Sequence, residues 1–161
     1  MTQETDNFYF IETDTLNSQQ QLTLMQLWNA EYPTTLAYKN ILAFANYLDN
    51  LKELRHLLIF EKSDNIVGWV FSFDRDNERC FAIILSEAVH GKGLGKLSLE
   101  KLKAAERELN GWVIDSNSYK KSNGQSYPSP IEFYRKAGFS VLTKKRLELE
   151  QLSAVKVNWT R

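Results

Sequence analysis

The sequence predicts a mixed α/β (α+β) fold: a centrally antiparallel sheet of about seven strands flanked by about four helices. Three observations carry that reading. The strand candidates "RHLLIFEK" (55–62), "NIVGWVFSFD" (65–74) and "ERCFAIIL" (78–85) are separated only by "SD" and "RDN". Links that short build antiparallel hairpins, because a parallel return needs about a dozen residues. Stretches with helical apolar spacing are interspersed among the strands, in the order β α α β β β α β α β β, which is neither an all-parallel nor a segregated pattern. Finally, "SAVKVNWT" (153–160) alternates Val155, Val157 and Trp159 with Ala154, Lys156 and Asn158, one face buried and one wet.

The elements follow in order. "NFYFIE" (7–12) is a short aromatic strand candidate. "SQQQLTLMQLWNAEY" (18–32) carries Leu22, Met25 and Trp28 at helical spacing, and Pro33 interrupts it. A second helix is expected over 34–51, with Ala37, Ile41, Phe44, Leu48 and Leu51 on one face and a kinked joint to the first. After the hairpin strands comes a glycine-rich turn. The helix beyond it shows Leu94, Leu97, Leu102, Ala105 and Leu109 on one face and is expected to stop near Asn110-Gly111. "WVIDSNS" (112–118) reads as a strand and "YKKSNGQSYPS" (119–129) as a loop. Pro130 suits the first turn of a short helix that Gly138 closes, and "FSVLTKKRLEL" (139–149) is the strand before the last.

The chain has 161 residues, which suggests a single domain over 1–161 with room for a core. Lys+Arg and Asp+Glu each total 20, so no basic field calls for nucleic acid or an anionic membrane. One cysteine, Cys80, excludes an internal disulfide and fits a reducing, cytoplasmic setting. Cys80 and the two histidines lie far apart, with no metal-ligand spacing. The N-terminal residues lack a signal-peptide pattern, and the longest apolar run, "CFAIIL", is too short to span a bilayer.

The segment "VHGKGLGKLSLEKL" (89–102) places Gly91, Gly93 and Gly95 at the mouth of a helix, where glycine is conformationally expensive. A Walker loop would need glycine at His90 and a hydroxyl at Leu97, and leucine cannot hold Mg²⁺, so that reading is rejected. A dinucleotide fingerprint would use Gly93, Gly95 and Ser98, with Asp115 about 20 residues on. It belongs after the first strand of a parallel unit, whereas three hairpin-linked strands precede it here; an oxidoreductase stands as the lesser alternative. The third reading is an acyl-CoA cradle. A helix start has unpaired N–H groups and partial positive charge, and Lys92 and Lys96 add mobile charge. A plain tight turn would also use such glycines.

"LSEAVHGKGLGKLSLEKLK" (85–103) resembles the acetyl-CoA motif of the GNAT superfamily of N-acyltransferases: Gln or Arg, two residues, Gly, one residue, then Gly or Ala. Here it reads His90-Gly91-Lys92-Gly93-Leu94-Gly95, with His90 in the place of Gln or Arg. "SPIEFYRKAGF" (129–139) resembles the family's second signature, Phe-Tyr, two or three residues, then Gly-Phe. The element order matches the family's fold from about residue 55 onward. Two departures stand out. The Asn often found seven residues before the tyrosine is Tyr127, and the loop 118–129 is longer than usual.

The resemblance implies a GNAT-like N-acetyltransferase. Acetyl-CoA would be its co-substrate, no metal would take part, and a primary amine of a small molecule or peptide would attack directly. It implies that the backbone at Ile83, Ile84 and Leu85 pairs with the pantetheine arm and that one N–H there steadies the oxyanion. Residues His90, Gly91, Lys92, Gly93, Leu94, Gly95 and Lys96 would hold the pyrophosphate. Tyr134 would protonate the departing thiolate; its other reading is one half of a buried aromatic pair with Phe133. Glu87 is the first candidate for a general base and Asp115, on the neighbouring strand, the second; either can equally be a solvated or capping carboxylate. In "LWNAEYP" (27–33), Glu31 could attract a cationic amine beside a wall of Trp28 or Tyr32, or Trp28 is core and Glu31 surface. A non-catalytic acyl-CoA-binding module fits the same motifs. No nucleic-acid or membrane partner is expected, and the C-terminal strands could pair across a homodimer.

Overall fold

The structure, a computed structural model, describes residues 7–161. One seven-stranded sheet runs in the order β1-β2-β3-β4-β5-β7-β6. Strands β1 (Phe8–Thr13), β2 (Lys52–Glu61), β3 (Ile66–Arg75) and β4 (Glu78–Leu85) form an antiparallel meander. The β3–β4 turn puts Asp76 and Asn77 at φ 54° and 62°, the paired left-handed conformation that matches strand twist in a two-residue hairpin. Strand β5 (Glu108–Val113) lies parallel to β4, and β7 (Leu152–Thr160) and β6 (Ser140–Leu149) complete the sheet antiparallel. The predicted fold class and element order are both found.

Period-two alternation divides the core between two faces. Leu57 and Ile59 of β2 join Val70, Leu99 and Leu109 beneath helices α3 (Leu94–Ala105) and α4 (Ile131–Lys136). Leu58 points the other way, with Trp69, Phe71 and Phe73, against helices α1 (Ser18–Glu31) and α2 (Ile41–Asp49). Asn17 caps α1 through its side chain and Gln20 reciprocates, a capping box.

Three expected elements differ. The second helix does not run over 34–51: a 3₁₀ turn occupies Thr34–Leu36, and α2 begins only at Ile41. The chain between is held extended by Asn29, whose side chain accepts from the Tyr38 N–H (2.9 Å) and donates to the Tyr38 carbonyl (3.0 Å). Asn40 then caps α2, accepting from Ala43 N–H at 2.9 Å. Ala37 therefore lies outside any helix. The helix after the glycines also stops early, at Ala105, with Glu106 already extended. Leu109 and Asn110-Gly111 belong to β5, which pairs with β7 from Glu108↔Thr160 to Val113↔Val155. Gly111 is there for contact rather than for a helix stop: a Cβ would sit 3.2 Å from the Phe81 ring. The strand expected at 112–118 is accordingly shifted toward the N-terminus.

His56, on β2, is 4% exposed and accepts the Trp69 indole N–H at Nδ1 (3.0 Å). Burial lowers its pKa to about 4. Unfolded, the imidazole binds a proton near its ordinary value of about 6.5. Below that pH the unfolded state holds more protons than the folded one, so stability is full above pH 6.5 and falls toward pH 4. The loss should approach about 3 kcal/mol. Urea titrations of wild type and His56→Gln between pH 7 and 4 should show the variant's profile flattened; parallel profiles would refute the assignment.

Among the described residues no helix is long and apolar enough to cross a membrane. No group of three or more His, Cys, Asp or Glu among them is placed to hold a metal.

Candidate active site

The sheet parts at its middle. β4 and β5 share a single pairing, Cys80↔Asn110, and diverge beyond it. The edge of residues 81–85 that faces β5 therefore lacks a ladder. A cavity of about 730 Å³ passes through this gap. Phe81, Ile83 and Leu85 reach it from the α3 face, and Ala82 and Ile84 from the α1 face.

The glycine loop closes one end. Gly91 and Gly93 have φ of 78° and 81°, left-handed values that glycine adopts without a steric penalty. The first α3 bond inside this turn is Leu97 N–H to the Gly93 carbonyl, 3.1 Å. Among the described residues, none of the six preceding amides, 91–96, donates to a backbone carbonyl. A run of free N–H groups at a helix start, with Lys96 beside it, has the polarity and geometry that suit an anion. Gly95 serves packing instead. A Cβ there would sit 3.1 Å from Phe133 Cζ, so the glycine lets α3 close on α4. Lys92 does not line the cavity. His90 does, but its Nε2 lies 3.0 Å from the Leu85 carbonyl, so that N–H ties the loop to the end of β4. The same contact occupies the Leu85 carbonyl, one of the expected backbone partners for a ligand.

Tyr134 is 6% exposed and lines the cavity from α4. Its ring meets Phe81, Phe133 and Phe139 edge-on at centroid distances of 5.8, 5.1 and 5.3 Å. The expected contact with Phe133 is thus present, and the phenol still faces the cavity. Burial first, and Tyr127 second, push its pKa well above the ordinary phenol value, so it stays protonated.

The acidic candidates fare differently. Glu31 lines the cavity but is not a free acid: Oε1 accepts from Lys121 Nζ and Oε2 from the Glu87 N–H, both at 3.0 Å. Its charge is matched by Lys121. Glu87 does not line the cavity; its half-exposed carboxylate lies 3.8 Å from Lys121 Nζ. Asp115 is outside too, held by both Arg146 amino groups at 2.8 and 3.1 Å, which keeps its pKa below the usual carboxylate range. Both carboxylates thus lie outside the cavity lining.

Sequence reasoning missed Lys121, buried at 6% exposure inside the loop 119–129. A turn of that loop, bridged Lys120↔Ser126, docks on the α1–α2 joint through Thr34 N–H to the Lys120 carbonyl (2.9 Å). It delivers Lys121 to Glu31, and Tyr127 to Tyr32 at 6.2 Å between rings. Trp28 and Tyr32, edge-on at 4.6 Å, both line the cavity, and Trp28, 8% exposed, is also part of the core under α1 and α2.

The profile of a family described as "Acetyltransferase (GNAT) domain" matches residues 53–141, more than half of the chain. The chain belongs to the GNAT family of acetyltransferases. Three solved structures show the same fold. An aminoglycoside 6'-N-acetyltransferase complexed with coenzyme A aligns at TM-score 0.69 and 12% identity, over 94% of this chain and 96% of that one. An acyl-CoA N-acyltransferase from Pseudomonas aeruginosa aligns at 0.67 and 16%, over 94% and 98%. The spermidine/spermine N-acetyltransferase SpeG from Vibrio cholerae aligns at 0.65 and 12%, over 98% and 94%. No curated protein matches the sequence.

Proposed function

We propose that this acetyltransferase moves the acetyl group of acetyl-CoA directly to a primary amine of a small molecule or peptide. The observation that carries the reading is the row of unpartnered amides, 91–96, opening beside the parted strands β4 and β5. The pyrophosphate would rest on those amides and Lys96, and the pantetheine arm would follow the free edge at Ile83 and Ile84. The amine nitrogen forms a bond to the thioester carbon from the α1 side, an N–H of the open edge steadies the oxyanion, and the carbon–sulfur bond breaks. Tyr134 gives its proton to the departing thiolate, and the amine's proton leaves to solvent.

Two kinds of polycation, aminoglycosides and polyamines, figure in the names of the matched structures. Among the described residues the cavity has one lining carboxylate, Glu31, already paired with Lys121, which favours a different acceptor. A cytoplasmic setting is in keeping with the free Cys80, and β6, at the edge of the sheet, is where a second copy would pair.

Thermal unfolding with acetyl-CoA or NAD tests the reading. Acetyl-CoA alone should raise Tm, by several degrees at 100 times Kd, equivalent to about 2.7 kcal/mol. Free thiol should then be released with an accepted amine. Stabilisation by NAD alone would end the proposal, and coenzyme binding without turnover of any amine would reduce the protein to a binding module.

A further inference from the structure

The α1 face of the cavity is lined by Tyr38, Tyr47, Phe71 and Phe73 and ends in a cation, Arg75. Phe71 and Phe73 stack along β3 with centroids 5.8 Å apart, and Trp69, stacked on Phe71 at 4.2 Å, is fully buried and stays behind the lining. Trp28 closes over them, with Tyr38 and Tyr47 at 5.3 and 5.6 Å from its ring. Arg75 continues the stack: its guanidinium lies 4.9 Å from the Phe73 centroid and lines the same cavity. Two acids close to it in the hairpin are engaged elsewhere. Asp74 pairs with Arg79 at 3.2 Å, and Glu78, opposite Arg75 in register, pairs with Lys156 at 2.6 Å. Among the described residues no carboxylate, that of the adjacent Asp76 included, is in salt-bridge contact with Arg75.

A second, independent observation concerns protons. Among the described residues the one carboxylate lining the cavity is tied to Lys121 and the Glu87 amide, so no described acid there is free to deprotonate a strongly basic amine.

We propose that the acceptor is a short apolar peptide, its α-amine entering at the parted strands, its side chains lying against the lining rings of Tyr38, Tyr47 and Phe73 and its C-terminal carboxylate pairing with Arg75. This rests on the acetyl-transfer reading above.

Length agrees. Trp69 is level with Ile84 of the open edge, and Phe73, under the guanidinium, lies four residues further along β3. That is about 13 Å of strand, and an extended tripeptide spans about 10 Å. Charge agrees, since an unpaired guanidinium matches a carboxylate with two parallel hydrogen bonds. Basicity agrees as well. A peptide α-amine titrates at about 7.7–8.0 and is partly neutral at physiological pH without help, whereas an alkylamine at about 10.4 needs a base. A polyamine would in addition meet Arg75 with like charge.

The test measures thiol release from acetyl-CoA by the full chain with three acceptors: alanyl-phenylalanyl-leucine, its C-terminal amide, and spermidine. The free acid should be preferred over the amide by about tenfold in kcat/KM, the worth of one charge-assisted contact, with spermidine slowest. Arg75→Gln should raise KM for the free acid and bring the acid-to-amide ratio close to one. Equal rates for acid and amide, a preference for spermidine, or a ratio that survives Arg75→Gln would each overturn the proposal. Calorimetry with acetyl-CoA separates the two levels. If the coenzyme binds and the peptides are not acetylated, the peptide assignment fails while the transfer reading stands; if the coenzyme does not bind, both fall.

Discussion

Tyr134→Phe is expected to lower kcat by about 100-fold, the lower range of what a positioned proton donor contributes, with little change in acetyl-CoA affinity. The substitution isolates the hydroxyl. Phenylalanine keeps the edge-on packing against Phe81, Phe133 and Phe139. Among the described residues no protein group hydrogen-bonds the Tyr134 hydroxyl, so its removal orphans no partner and Tm should barely move. A purely structural tyrosine would therefore give a silent variant. The raised pKa of the phenol does not count against donation. Burial that disfavours a phenolate equally disfavours the thiolate formed beside it. The two values rise together, so burial does not widen the gap set by their solution values, about 10 and 8.5. Undiminished turnover in single-turnover assays at saturating acetyl-CoA would show that Tyr134 is not the donor.

The fold was legible because its strongest signals are local. Two-residue and three-residue links force hairpins whatever the rest of the chain does, and the β2–β3–β4 meander follows from them. The errors fell where distant partners decide. Leu102, Ala105 and Leu109 suit one helical face, yet Leu109 is claimed by pairing with Trp159, some fifty positions away. Asn29 ends a helical pattern by binding Tyr38 with both ends of its amide, an exchange that composition does not announce.

The candidate site divides in the same way. The glycine loop could be read because left-handed backbone confines the choice of residue, and Gly91 and Gly93 occupy that conformation. The carboxylates could not. Whether an acid is a base, a cap or half of an ion pair depends on which cation the fold brings to it. Glu31 meets Lys121, ninety positions on, and Asp115 meets Arg146 across the β6–β7 hairpin. Lys121 itself gave one faint signal: it sits in a loop longer than the family pattern, and extra chain near a site has to be accommodated somewhere.

Gly93→Val should weaken acetyl-CoA binding by about 100-fold or more while the fold persists. Gly93 stands at φ 81°, ψ 4°, as the residue that caps α3. A β-branched side chain in that conformation costs about 1–3 kcal/mol, and the exposed loop can shed the strain by rotating its peptides. Rotation turns the 91–96 amides away from their common focus. Losing two charge-assisted bonds of about 1.5 kcal/mol or more each accounts for the expected change in Kd. Val89 and Leu94 anchor both sides of this turn in the core beneath α3, so the fold persists and the fall in Tm should stay within about 3–8 °C. Gly93→Asn provides the control, since asparagine tolerates the left-handed region; it should keep most of the affinity. Calorimetric titration of the three proteins then separates backbone conformation from bulk. Loss in valine but not asparagine means that amide orientation holds the diphosphate. Equal loss in both would point to crowding by any side chain, and unchanged affinity in the valine variant would remove the cradle from the site.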